Sequence, residues 1–219
     1  MRDKEIIILV HGYNKSESDM KFLKENFEQM GYRSITETVP LLFNSVETCV
    51  NIFKEKVEKI LIEEANYKKI HFIGHSMGGI IIRKFLENNK IENLGRCILI
   101  ATPNRGMKLA DFAEKKVRLF GRIFKPIHDT VSYRMKINKP MNIPEPEIGV
   151  IAGNKNNLIL GLLLSKNSDG RVEVEETKFE GMKEFMVLNY GHKEIHHKSE
   201  TVKLADNFLQ NGTFEIKKS

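Results

Sequence analysis

"HFIGHSMGGIIIRKF", residues His71 to Phe85, sets a small polar serine among glycines, straight after an apolar run and straight before a helical pattern. A packed core has no use for Gly74-His75-Ser76-Met77-Gly78. A sharp strand-to-helix turn that exposes a nucleophile does. Its backbone is strained, and its neighbours must be small enough for strand and helix to approach each other. Gly74-x-Ser76-x-Gly78 therefore reads as a nucleophile elbow, with Ser76 at the tip and at the N-terminus of the following helix. Gly79 extends the clearance.

Outward from this turn, apolar runs and amphipathic stripes alternate. Strands are expected at "EIIILV" (5–10), "YRSITETV" (32–39), "KIHFIG" (69–74), "RCILIAT" (96–102), "EIGVIAG" (147–153) and "EFMVLNY" (184–190). Helices are expected over 16–31, 45–65, 76–89 and 199–212. The first has Ser16 and Asp19 as a capping pattern and a stripe of Met20, Leu23, Phe27 and Met30, closed by Gly31. The last is capped by Ser199 and stopped by Gly212. Such alternation implies βαβ units: an α/β fold with a mostly parallel sheet of about six strands and helices on both faces. Ligands of such sheets sit beyond the carboxyl ends of the strands. His11-Gly12-Tyr13, the Ser76 elbow, Thr102-Pro103-Asn104, Asp169 and His192 all fall at such ends.

A serine hydroxyl needs a base to take its proton. In an elbow-type site that base is a late histidine preceded in the chain by an acid. Of seven histidines, His11 and His75 belong to turn motifs, His71 to a strand and His128 to the middle of the chain. His192 follows the last strand, where a loop would present it to Ser76. His196 and His197, just before the last helix, read as surface or cap residues. Asp169, in the turn "NSDG", is the candidate acid. Glu173, Glu175 and Glu176 are alternatives, but they lie in a period-two strand pattern with Val172 and Val174 that turns their side chains to solvent. By position, the oxyanion donors are the backbone N–H groups of Tyr13 and Met77.

The chain resembles the α/β-hydrolase superfamily. Within it, it is similar to compact bacterial lipase/esterase-like proteins related to triacylglycerol lipases and inositol-deacylase-like hydrolases. "ILVHGY", "HFIGHSMGGIIIR", "ILIATPNRG", "DGRVEVEETKFEGM" and "LNYGH" carry the resemblance, from residue 7 to about 192. It implies a Ser76, Asp169, His192 triad with oxyanion donors at Tyr13 and Met77. It also implies a fold that lacks the first N-terminal hairpin. Where relatives often carry serine after the "DGxVxVx" pattern, this chain has Glu176. The expected activity is hydrolysis of carboxylic esters through an acyl-enzyme, with no metal or organic cofactor implied. A thioesterase or acyltransferase would use the same site. A non-catalytic member that binds lipid or protein is the alternative from another class.

The length, 219 residues, suits one domain spanning 1–219, with a cap- or lid-like insertion at about 105–146. From Arg105 to Lys139 there are ten Lys/Arg against three Asp/Glu, so this segment exceeds the whole chain's net charge of +6. Two readings stay open for it. It is a mobile lid that admits an acyl chain or makes transient contact with an anionic membrane surface, or it is a helical pair with its basic face solvated. It has no nucleic-acid-binding motif. "IIILV" is too short for a signal-peptide core, and "LILGLLL" (158–164) is too short for a membrane span. Cys49 and Cys97 form no metal spacing and read as reduced core thiols, which fits a cytoplasmic setting.

Overall fold

The computed structural model describes residues 4–42, 44–64, 66–108 and 146–216. The expected insertion at 105–146 thus lies almost wholly outside the described residues. In chain order the described elements are β1 (Glu5–Val10), α1 (Lys21–Gln29), β2 (Arg33–Glu37), α2 (Val46–Glu63), β3 (Lys69–His75), α3 (Met77–Asn88), β4 (Leu94–Ile100), β5 (Ile148–Gly153), α4 (Val174–Thr177), β6 (Glu184–Leu188) and α5 (Ser199–Asn211). Short 3₁₀ turns lie at Glu17–Met20, Ile159–Leu163 and Ile195–His197.

The six strands form one sheet in the order β2-β1-β3-β4-β5-β6, every neighbouring pair parallel. The expected α/β architecture is therefore the observed one, and no hairpin precedes β1 among the described residues. β1 sends Ile6, Ile8 and Val10 to one face and Ile7 and Leu9 to the other, as the two-residue period of a strand requires. On the first face, Phe53 and Val57 of α2 and Ile80, Ile81 and Phe85 of α3 cover the sheet. On the second, Leu23 and Phe27 of α1 and Ala205, Phe208 and Leu209 of α5 do so. Sheet strands buried on both sides explain why the apolar runs are nearly continuous.

From β1 the chain first steps to β2, then crosses back to β3 on the other side of β1. This reversal opens a crevice beyond the carboxyl ends of β1 and β3. His11-Gly12-Tyr13 and Ser76 border it. No helix among the described residues is long and apolar enough to cross a membrane.

Some local expectations are corrected. α1 starts at Lys21, and the preceding 3₁₀ turn has Ser16 at its N-cap without a side-chain cap bond. Ser199 is the first residue of α5 rather than its cap; the N-cap is Lys198. Gly212 ends α5 in the left-handed region, as expected. The period-two pattern around Val172 and Val174 is not a strand. It becomes the single turn α4, closed by a capping box between Glu173 and Glu176.

Candidate active site

β3 runs into α3 through Ser76, whose φ of 53° and ψ of −123° lie in a region that non-glycine residues rarely adopt. The glycines beside it are there for close approach. A Cβ on Gly74 would stand 2.5 Å from the backbone nitrogen of Gly79, and one on Gly78 would collide with the carbonyl oxygens of Val10 and His11. The elbow is thus wedged between its own helix and the end of β1. A Cβ on Gly12 would lie 3.1 Å from Ser76 Cβ, so the Gly12-Tyr13 turn lies beside the serine.

Ser76, His192 and Asp169 come together in a line. His192 Nε2 is 3.0 Å from Ser76 Oγ, and His192 Nδ1 is 2.7 Å from Asp169 Oδ2. The Asp169 carboxylate only accepts, so the proton sits on Nδ1 and the lone pair of Nε2 faces the serine hydroxyl. Asp169 is itself oriented. Its Oδ1 accepts the N–H groups of Arg171 and Val172 at 2.9 and 2.8 Å, and its carbonyl accepts the N–H of His192 at 2.9 Å. Asp169 and His192 are both buried, so water competes little for these bonds.

Met77 is the first residue of α3, so its N–H is one of the four that a helix start leaves without an intrahelical acceptor. Tyr13 follows Gly12 in the turn beside Ser76. His11 fixes that turn. Its Nδ1–H donates to the carbonyl of Gly12 at 2.8 Å, and its Nε2 accepts the N–H of Val39 at 3.2 Å. Burial lowers the His11 pKa, which favours the neutral ring these two bonds require.

Two of the three glutamates expected to face solvent, Glu173 and Glu176, are instead posts of the adjoining wall. Glu173 and Glu176 are buried; Glu175 is exposed. Glu176 accepts the N–H groups of Lys108 and Glu173 at 2.6 and 2.7 Å, and Glu173 pairs with the Lys108 ammonium and accepts the N–H of Ser165 at 2.9 Å. Burial pushes the Glu176 carboxyl up. For Glu173 burial acts the same way, but the bonds from Lys108 and Ser165 outweigh it and lower the pKa. None of the three glutamates takes the place of Asp169 beside His192.

His196, expected at the surface, is buried and stacks on His75; His197 is partly exposed. Two further arrangements carried no clear sequence signal. Arg83 of α3 donates to Asn104 Oδ1 at 2.8 Å, and Asn104 Nδ2 donates to the carbonyl of Thr177 at 2.6 Å. His75 Nε2 lies 3.0 Å from the carbonyl of His192.

The solved structures that this fold matches include lipases and other hydrolases. The mature form of the lipase BlEst2 of Bacillus licheniformis aligns with a TM-score of 0.76 at 20% identity, over 97% of this chain and 94% of that one. MGS-MChE2, an α/β-hydrolase enzyme from a lagoon-sediment metagenome, aligns with a TM-score of 0.67 at 16% identity, over 95% and 91%. The phospholipase PlaB of Legionella pneumophila aligns with a TM-score of 0.60 at 17% identity, over 86% of this chain but 53% of its own length. At these identities the likeness is one of fold. No curated protein matches the chain in sequence. Residues 1–109, which include the His11-Gly12-Tyr13 turn and the elbow, match the family described as "Putative serine esterase (DUF676)". The fold is that of the α/β-hydrolases, and the first 109 residues of the chain are similar to that serine-esterase family.

Proposed function

We propose that the protein is a serine hydrolase of carboxylic esters that works through an acyl-enzyme. His192 Nε2 takes the proton of Ser76 Oγ as the oxygen attacks the ester carbonyl. Asp169 holds the imidazole in the productive tautomer and stabilises its cation. The N–H groups of Tyr13 and Met77 receive the oxyanion, each donor of this kind being worth roughly 10²–10³ in rate. The imidazolium then protonates the leaving alcohol as the tetrahedral intermediate collapses to acyl-Ser76. Water, activated by the same histidine, releases the acid and restores the serine. The observation that carries this reading is the line Asp169–His192–Ser76, bonded at 2.7 and 3.0 Å, with Ser76 on a strained backbone.

An apolar acyl group is the favoured substrate class. The 3₁₀ turn Ile159–Leu163 leaves Ile159 and Leu162 87% and 84% exposed, an unusual use of large apolar side chains. Leu158, at its start, sits against Gly170, next to Asp169. A lipase and a phospholipase among the structural neighbours support the same class. The basic segment 105–139 would favour a transient contact with an anionic lipid surface. The buried thiols Cys49 and Cys97, neither of them in a disulfide among the described residues, fit a cytoplasmic setting.

The test is hydrolysis of a short and a long p-nitrophenyl ester by wild type and Ser76→Ala, with a fluorophosphonate probe for labelling. Turnover and labelling by wild type, with kcat/KM reduced about 10⁴-fold or more and no labelling in Ser76→Ala, is the expected result. A folded wild type that neither labels nor turns over either ester would refute the proposal. Preference for the long ester is the result expected of a lipid substrate.

A further inference from the structure

Beside the serine lies a second constellation that ester hydrolysis does not use. Asp19, from the 3₁₀ turn Glu17–Met20 after β1, meets His196 and His197, from the 3₁₀ turn after His192. Their ligand atoms all lie within 4.8 Å of one another. His196 Nε2 stands 3.1 Å from Asp19 Oδ2, and His197 Nε2 stands 3.9 Å from Asp19 Oδ1. A third imidazole joins them. His75 stacks on His196 with ring centroids 3.8 Å apart, and its Nδ1 lies 3.9 Å from Asp19 Oδ2.

The donor and acceptor count of this cluster suits a bound cation. His75 is 3% exposed, and its Nε2 faces the carbonyl of His192 at 3.0 Å. A carbonyl only accepts, so Nε2 carries the hydrogen and Nδ1 of the neutral ring presents a lone pair. That lone pair is buried, has no hydrogen-bond partner and faces a carboxylate, another pure acceptor. Lys15 reaches only the other carboxylate oxygen, at 2.9 Å, and is itself partly exposed.

We propose that Asp19, His196 and His197, with Nδ1 of His75 completing the set, bind a divalent transition-metal ion of the zinc class. Donors held at about 2.0–2.2 Å from one tetrahedral ion stand about 3.3–3.6 Å apart, and the 3.1 and 3.9 Å from Asp19 Oδ2 to His196 Nε2 and His75 Nδ1 bracket that spacing. Imidazoles with one carboxylate suit zinc over magnesium or calcium, which prefer all-oxygen shells. The Nε2–H bond of His75 to the His192 carbonyl is the kind of outer contact that fixes a ligand's tautomer. The ion would clamp the loop after β1 to the loop that carries His192. Its role is positional, since Ser76, His192 and Asp169 already form their own relay.

The experiment uses tag-free full-length protein stripped with EDTA, titrated with ZnCl2 by calorimetry and with CoCl2 by visible absorption, alongside thermal melts. One zinc per chain, tetrahedral cobalt bands and a higher Tm with zinc are expected. His197→Gln and Asp19→Asn should each weaken zinc binding at least about tenfold and lose the Tm response. His197 is 37% exposed, so its variant keeps the fold, which circular dichroism checks. Ser76→Ala should bind zinc as wild type does, which separates this proposal from the hydrolytic one. No saturable zinc binding, or undiminished binding in both ligand variants, would overturn it.

Discussion

Ser76 holds a left-handed backbone that its side chain does not favour, with φ at 53° and ψ at −123°. A residue held this way costs on the order of 1–3 kcal/mol. Glycine relieves that cost and alanine does not, although glycine loses more chain entropy on folding. Both remove the hydroxyl, so both should be inactive. Ser76→Gly should nonetheless be more stable than Ser76→Ala by about 1 kcal/mol, read from urea midpoints. Equal midpoints would mean that the elbow stores no strain. Thus the position proposed as the nucleophile is one that costs stability.

Among the elements, α3 is joined to the loop after β4 and to α4 by side chains rather than by a backbone ladder. Asn104, fully buried, bridges Arg83 of α3 to the carbonyl of Thr177 at the end of α4. The Arg83 guanidinium lies 3.9 Å over the ring of Phe179. Burial brings its pKa down to about 10, still charged at neutral pH. Asn104→Ala would leave a buried cation and a buried carbonyl each short of a partner. We expect a loss of about 2–3 kcal/mol, visible as a lower denaturation midpoint with unchanged slope. A loss below about 0.5 kcal/mol, the scale of a surface change, would show that water takes over both bonds.

For the molecule as a whole, the same sheet that aims the proposed catalytic groups also buries histidines that must stay neutral. His11 accepts the N–H of Val39, and His71 of β3 accepts the N–H of Arg96 at 2.9 Å. Burial lowers both pKa values; Asp19, Glu17 and the Gly12 carbonyl oppose this for His11, and Glu5 opposes it for His71. In the unfolded chain both return to the ordinary range near 6.5. Between the folded and unfolded values the unfolded state binds more protons, so stability is complete above about pH 6.5 and falls as pH drops below it. Each histidine adds up to about 1.4 kcal/mol per pH unit in that window. Chemical denaturation from pH 7.5 to 5 should show this slope, and His71→Gln should flatten it. A slope that His71→Gln leaves unchanged would remove His71 from this account.

The sequence alone determined the six strands, the parallel sheet and the elbow, because each rests on neighbours in the chain. Apolar runs give strands, stripes give helices, and Gly74, Gly78 and Ser76 mark a turn within five residues. Asp169 and His192 were legible as candidates because each follows a strand at its carboxyl end, although their approach to Ser76 is visible only in space. The rest was decided by tertiary structure alone. Glu173 and Glu176 have the pattern of a solvent-facing edge, but a lysine 65 residues away from Glu173 and a set of backbone donors make their burial tolerable. His196 has no local sign of burial, because its partner Asp19 is 177 positions distant and meets it only once β1 and β6 have joined one sheet. Local periodicity specifies which face of an element is apolar; which polar groups can enter the interior depends on partners that only the folded chain supplies.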